Sequence, residues 1–248
     1  SVIFVSHHLD EVFNLCDRIT VLRNGHYEGT YASSELSTRS LIKLMTHRDL
    51  TDQYPKQEYK AEEEVLRVSN LNSVKLGLKD ISFEVKKGEI VGFFGMVGSG
   101  RTELMKSIFG AGEIDGGEIL IENQPAKISN PSKAMRTGIY LCPEDRRREG
   151  LVQDMSVVDN LSIPFLGTLT KFGVIYSKIA NSKAKKLSKD LEIKTPSLKT
   201  IVSNLSGGNQ QKVVLGKWLM GPKSRVFIFD EPTQGIDVGA KTEFYKIM

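Results

Sequence analysis

The sequence predicts an α/β protein in which a glycine loop at a helix head is joined to an antiparallel β layer and a helical subdomain. Three observations predict it. Residues 89–109, EIVGFFGMVGSGRTELMKSIF, run from an apolar, β-prone segment (Ile90, Val91, Phe93, Phe94) through Gly95, Gly98 and Gly100 into a helical pattern starting at Arg101. Short β-prone runs, VLRVSNL, ISFEV and GEILIEN, are separated by turns such as Lys87-Gly88 and Gly116-Gly117. A fully apolar strand over residues 226–229 ends in adjacent carboxylates, Asp230 and Glu231, at the edge where α/β sheets bind ligands.

Composition narrows the class. A length of 248 residues suits one large domain or about two ordinary ones. With 40% apolar and 26% charged residues the chain is globular rather than disordered or fibrous. The net charge of +4 is spread along the chain, so it marks neither a nucleic-acid stripe nor a membrane patch, and no nucleic-acid partner is expected. Cys16 and Cys142 lie far apart without metal-ligand spacing, which suits thiols in a reducing compartment. Nothing reaches the roughly 18 consecutive apolar residues of a membrane span, and the N-terminus lacks the layout of a signal peptide. The chain reads as cytosolic.

The first residues, SVIFVSHHLDEV, start inside a domain: Val2 to Val5 read as a buried strand, followed by His7 and His8 and a short helix ending near Cys16. A histidine pair after a strand is on its own more often structural than catalytic. Asn24-Gly25 between apolar runs signals a hairpin, and a helix follows over residues 37–46. Residues 47–64, polar and containing Pro55, read as a linker. The β layer, the glycine loop and its helix come next, then a short strand over residues 138–141 leading into CPEDRRREG. From about residue 152 the pattern turns helical. Its lysine-rich run, SKIANSKAKKLSKDLEI, puts lysines on an outer face and Ile179, Leu187, Leu191 and Ile193 on an inner one. LSGGNQQKVVLGKWLM then places Ser206, Gly207 and Gly208 at the head of an apolar-periodic helix; this is either an anion site or an ordinary serine N-cap.

Gly95, with Gly100 fifth after it and Arg101-Thr102 following, has the spacing of the phosphate loop G-x-x-x-x-G-K-[ST], with arginine in place of lysine. Such a loop turns backbone N–H groups onto a nucleotide's phosphates, and the helix adds its positive end. The Thr102 hydroxyl would ligate Mg²⁺, and Arg101 would place charge on the β- and γ-phosphates. A planar guanidinium keeps the charge of lysine but not its compact shape, so binding is expected to survive better than hydrolysis. The alternative is a glycine turn that binds nothing. Of the carboxylates, one would hold Mg²⁺ through water and the next would polarise an attacking water.

In order, these parts are a phosphate loop, a strand ending in PED, a helical insertion, LSGGNQQ, and a strand followed by DEP and GID. The order resembles the nucleotide-binding domain of ABC transporters over residues 65–248, a P-loop NTPase of the ABC ATPase type. The resemblance implies ATP and Mg²⁺ as cofactors. It makes Gly95, Met96, Val97, Gly98, Ser99, Gly100, Arg101 and Thr102 the Walker A loop. Leu205 to Gln210, with Ser206, Gly207, Gly208 and Gln210 on nucleotide, become the signature motif. It further makes Asp230 the Walker B metal carboxylate, Glu231 the catalytic glutamate and Asp237 part of the D-loop. Residues 1–46 look like the end of another such domain with His7 as its switch histidine, which reverses the bland reading of that residue.

Tandem domains with GRTEL, PEDRRREGL and DEPTQGIDVGAK look like the ATP-binding proteins of bacterial ribose, galactose and xylose importers. This implies a translocating ATPase, peripheral on the cytoplasmic face of the inner membrane. Its partners would be permease subunits, a sugar-binding protein reached through the permease, and the other ABC domain. The chain would carry the tail of the first domain, the linker over 47–64 and most of the second, with a helical subdomain over about 152–220, stopping before the second switch histidine. Besides Arg101, Glu144 stands at the Q-loop glutamine position, with a role toward Mg²⁺, and no aromatic between Leu71 and Lys79 offers itself for adenine. The implied picture is asymmetric, with an Arg101 site that mainly binds ATP and negligible turnover by this chain alone. A regulatory nucleotide-binding module and a non-transport ABC ATPase are the alternatives.

Overall fold

A computed structural model describes residues 1–6, 9–23, 25–46, 63–171, 174–175, 177–221, 224–236 and 238–248. His7, His8, Asp237 and almost all of the expected linker lie outside the described residues. The chain divides into two compact units, Gln57–Gln234 and Ser1–Lys56 with Gly235–Met248.

In the smaller unit, α1 (Leu9–Leu15) precedes β1 (Arg18–Arg23) and β2 (His26–Ala32), which pair antiparallel with Thr20 opposite Thr30. The hairpin falls where Asn-Gly predicts it, with Gly25 at φ +82° in the left-handed region that such a turn needs. Then comes α2 (Thr38–Thr46). Alternation along β1 buries Ile19 and Val21, and these pack with Leu41, Val12, Phe13 and Cys16. The strand predicted at Val2 to Val5 is absent: Val2, Ile3 and Val5 are 89%, 94% and 90% exposed. Among the described residues no strand pairs with them, and β propensity counts only where a neighbouring strand supplies packing and hydrogen bonds.

The larger unit begins with the predicted antiparallel layer. β3 (Glu64–Ser73), β4 (Leu78–Lys86), β5 (Gly116–Ile121) and β6 (Gln124–Pro125) form a sheet in the order β4-β3-β5-β6. Val68 faces Phe83 on one side and Ile119 on the other, and Leu66, Val68, Leu71, Ile119 and Ile121 are buried. Gly117 has no alternative residue: its φ is +101°, and a Cβ would meet Asn70 O at 2.5 Å.

Residues 89–96 form no strand, although they are the sequence's most obvious candidate. Phe93 rests edge-on against Phe83 at 4.8 Å, but Ile90, Phe94 and Val97 are 77%, 102% and 100% exposed. The physical reason is again the missing neighbour, because an extended segment without ladder bonds gains little from its β-branched and aromatic side chains. The helix that follows, α3 (Arg101–Ile108), starts at the residue predicted.

α4 (Pro131–Thr137) begins at Asn130, whose side chain accepts from Lys133 N at 2.9 Å, and ends at Gly138 with φ +88°. Two parallel strands follow from the sequence, β7 (Ile139–Cys142) and β10 (Val226–Phe229), paired from Ile139–Val226 to Cys142–Phe229. Between them lie a π-turn at Arg146–Gly150, α5 (Val157–Ser162), the small hairpin of β8 (Thr170–Lys171) and β9 (Val174–Ile175), α6 (Ser177–Asp190) and α7 (Gly207–Leu219). The lysines of α6 face outward as predicted, but its buried face is Ala180 and Ala184, continued by Leu191. Ile179 is 49% exposed, one position off that stripe. The small alanines allow close approach, whereas the larger Ile179 had drawn the predicted face one residue round the helix.

The last element, α8 (Val238–Ile247), belongs to the smaller unit.

Candidate functional site

The loop ahead of α3 is shaped by glycine. Gly98 and Gly100 have φ +81° and +90°, and a Cβ on Gly95 would meet Ser99 Oγ at 2.6 Å. Gly100 is the N-cap, contributing no side-chain cap, so the N–H groups of the first turn of α3 keep no intrahelical partner. The side chains of Met96 and Val97 point to solvent, which leaves the backbone of the loop as its binding surface.

At the head of α3, Arg101 and Thr102 meet the carboxylates beyond β10. Arg101 Nη1 donates to Glu231 Oε1 at 3.1 Å, and the Thr102 hydroxyl faces the Asp230 carboxylate closely enough to favour its charged form. Asp230 is only 9% exposed, and burial pushes its carboxyl above the usual range. The Thr102 hydroxyl opposes that shift, while Glu144 and Glu231 add to it by charge repulsion. Glu231 itself sits at φ +42°, a left-handed backbone that is costly for glutamate and that clusters at functional sites.

A network behind Glu231 holds this geometry. Gln234 N donates to Glu231 O at 3.0 Å, closing a turn. Gln234 Nε2 donates to Glu144 Oε1 at 3.0 Å, and Arg146 Nη1 donates to Gln234 O at 2.7 Å. Lys106 Nζ on α3 reaches Glu149 Oε1 at 2.8 Å. Arg146 and Gln234 were not legible as site residues in the sequence; the signal that could have found Arg146 is the charged DRRRE run that begins with the Asp of PED, and Gln234 had none.

These residues fit a phosphate and a divalent cation. Gly98 and Gly100 hold left-handed backbone that favours glycine, and the carboxylates of Glu144 and Glu231 add a negative field at Asp230 beside the Thr102 hydroxyl. Among the described residues no cluster of three His, Cys, Asp or Glu side chains could by itself hold a metal.

The second glycine-headed helix, α7, is different. Ser206 occupies the N-cap position but makes no side-chain cap; its Oγ instead accepts from Asn209 Nδ2 at 2.9 Å. This disposes of the ordinary serine cap. Ser206 is exposed and Gly207 half-buried, so both are presented outward. Gln210 is buried at 1% exposure, and its amide donates to Val202 O at 3.1 Å. Further along, Lys217 lies buried with Nζ on Gly150 O at 2.5 Å and 4.5 Å over the Trp218 ring. Burial lowers its pKa to about 8. A single charge inside VVLGKWLM was the sequence sign of it.

Comparisons with known proteins place the chain in a family. The family model described as ABC transporter matches residues 78–234. The chain is 43% identical over its whole length to the ribose import ATP-binding protein RbsA of Bacillus subtilis, covering 50% of that protein. It is 44% identical to the protein of the same name from Clostridium tetani, covering 49% of it. The chain thus spans about half the length of the curated relatives it matches. Among solved structures, a nucleotide-free ATP-binding cassette from an ABC transporter aligns with TM-score 0.62 at 24% identity, over 74% of this chain and 76% of that one. That likeness shows the fold, an ABC ATPase fold with its antiparallel layer, and the family model covers the loop, the signature and both carboxylates. The chain belongs to the ABC transporter family.

Proposed function

We propose that this chain is part of the ATP-binding subunit of a bacterial sugar importer, binding ATP with Mg²⁺ and coupling it to monosaccharide passage through a membrane permease. The observation that carries the nucleotide reading is the meeting of Arg101 and Thr102 with Glu231 and Asp230 at the mouth of a glycine cradle. The relatives' name, ribose import ATP-binding protein, supports a sugar of that kind. Among the described residues no helix is long and apolar enough to cross a membrane, and the proposed position is peripheral on the cytoplasmic face. A sugar-binding protein, reached through the permease, and a second ABC domain complete the proposed assembly.

In this reading the N–H groups of the loop and Arg101 hold the phosphates, while Thr102, Asp230 and Glu144 hold Mg²⁺. Bound Mg²⁺ supplies charge neutralisation for the β- and γ-phosphates. Glu231 would accept the proton of an attacking water, and Ser206 with Gly207 would present a helix head to a nucleotide on another domain. His7 and Asp237 take the switch and D-loop roles. The Arg101 site is the binding-biased one of an asymmetric pair, because a fork-shaped cation does not reproduce the point charge of lysine.

The test is saturable binding of a fluorescent ATP analogue with Mg²⁺ to the chain, to Arg101→Lys and to Arg101→Ala. Wild type and Arg101→Lys should bind, and Arg101→Ala should bind about tenfold or more weakly, the loss of a charge-assisted contact. Unchanged binding in Arg101→Ala would remove the loop from the nucleotide site.

A further inference from the structure

The cation that should meet a phosphate already has a partner. Arg101 Nη1 is 3.1 Å from Glu231 Oε1, with 30% and 49% of the two side chains exposed. The two ends of this pair are held very differently. The backbone of Glu231 is fixed from behind by its turn, where Gln234 N donates to its carbonyl and Gln234 is itself pinned by Arg146 and Glu144, while its carboxylate is met by Arg101. Arg101 is the first residue of α3, at the end of a loop whose flanking side chains are exposed.

We propose that the Arg101–Glu231 pair is a self-made lock on the phosphate loop, in which Glu231 occupies the guanidinium until a nucleotide's phosphate displaces it. This inference rests on the nucleotide reading above. It gives the arginine a purpose beyond carrying charge. Displacement hands Arg101 to the phosphate and leaves the Glu231 carboxylate uncompensated, so the base is freed only when the loop is filled. The lock lowers apparent nucleotide affinity by the fraction of molecules in which it is closed. An ion pair this exposed is worth little, so the expected penalty is about twofold to fivefold in Kd.

A double-mutant cycle on the 248-residue chain tests it, with Mg-ADP binding followed by calorimetry for wild type, Glu231→Gln, Arg101→Gln and the double variant. Glu231→Gln should tighten Mg-ADP about twofold to fivefold while Arg101 is present, and by less than a factor of two once Arg101 is glutamine. Arg101→Lys replaces Arg101→Gln if the latter does not fold, with the same direction and a smaller difference. Equal or greater tightening in the Arg101→Gln background would reduce the effect to simple repulsion between Glu231 and phosphate, and the lock would be wrong. Weaker binding by Glu231→Gln would make Glu231 an orienting partner of Arg101 and overturn it too. Measurable binding with either of these outcomes leaves the nucleotide reading standing, whereas no binding by any folded variant removes that reading and the lock together.

Discussion

Two of the described helices carry glycine at their heads, α3 behind its N-cap Gly100 and α7 from Gly207, and they meet their surroundings in opposite ways. The lead-in to α3, residues 89–97, leaves Ile90, Phe94, Met96 and Val97 in solvent and holds its site through polar contacts to Glu231 and Asp230. α7 is buried along most of its length, including Gln210, Gln211, Lys212 and Lys217. Gly216 of α7 lies so close to its neighbours that a Cβ would meet Leu161 Cδ2 at 2.8 Å. Glycine at a helix head therefore says that backbone is on offer there, but not how firmly the helix behind it is seated. In α7 the packing seats the helix; at α3 a handful of hydrogen bonds and ion pairs seat the loop.

The contrast is broken most forcefully at Trp218. Its ring stacks on Tyr140 at 5.3 Å and its Nε1 donates to Leu141 O at 2.9 Å, so it joins α7 to β7 through both faces of its chemistry. Trp218→Ala should cost about 3–5 kcal/mol, the usual loss for a large buried aromatic. Urea unfolding reads this directly. A loss below about 1 kcal/mol would mean that α7 is no better anchored than the loop ahead of α3.

Lys217 sharpens the same point through pH. Burial lowers its pKa from the ordinary 10.5 to about 8, so the unfolded chain holds the proton to higher pH than the folded one. Stability should therefore rise with pH from about 8 towards 10.5, by at most about 1.4 kcal/mol per pH unit. Cys142 works against this. Burial raises its thiol from 9.0 to about 12, so above pH 9 the unfolded chain loses that proton first and stability falls. The clean window is thus about pH 8 to 9. Lys217→Met should abolish the rise there, and an identical pH profile for the two proteins would show that the ammonium is already solvated.

What the sequence made legible follows the same division. Elements whose signal is local were readable: the Asn24-Gly25 hairpin, the start of α3 at Arg101, and β10 with Asp230 and Glu231 at its end. The antiparallel layer was readable because alternation and turn glycines are written into each strand. Segments whose state depends on a neighbour were not. Val2 to Val5 and Ile90 to Phe94 have strand composition, yet strand formation requires a partner that composition cannot supply. The site divided similarly. Spacing alone pointed to Arg101, Thr102, Asp230 and Glu231, but the ties from Arg146 and Glu144 to Gln234 in the Glu231 turn span 88 and 90 positions in sequence and arise only from the parallel pairing of β7 and β10.

The smallest expected effect is at Phe94, and it tests the comparison from its weak side. A side chain that is 102% exposed has no packing to lose, so Phe94→Ser should leave the urea midpoint within about 0.5 kcal/mol of wild type. The same substitution at a buried aromatic would cost several times that, because a hydroxyl would replace a ring in the core. A loss of about 2 kcal/mol or more at Phe94 would place residues 90–94 in a packed strand. The loop would then be seated by its apolar lead-in as α7 is by its faces, and the polar ties through Arg101 and Thr102 would be only part of what positions it.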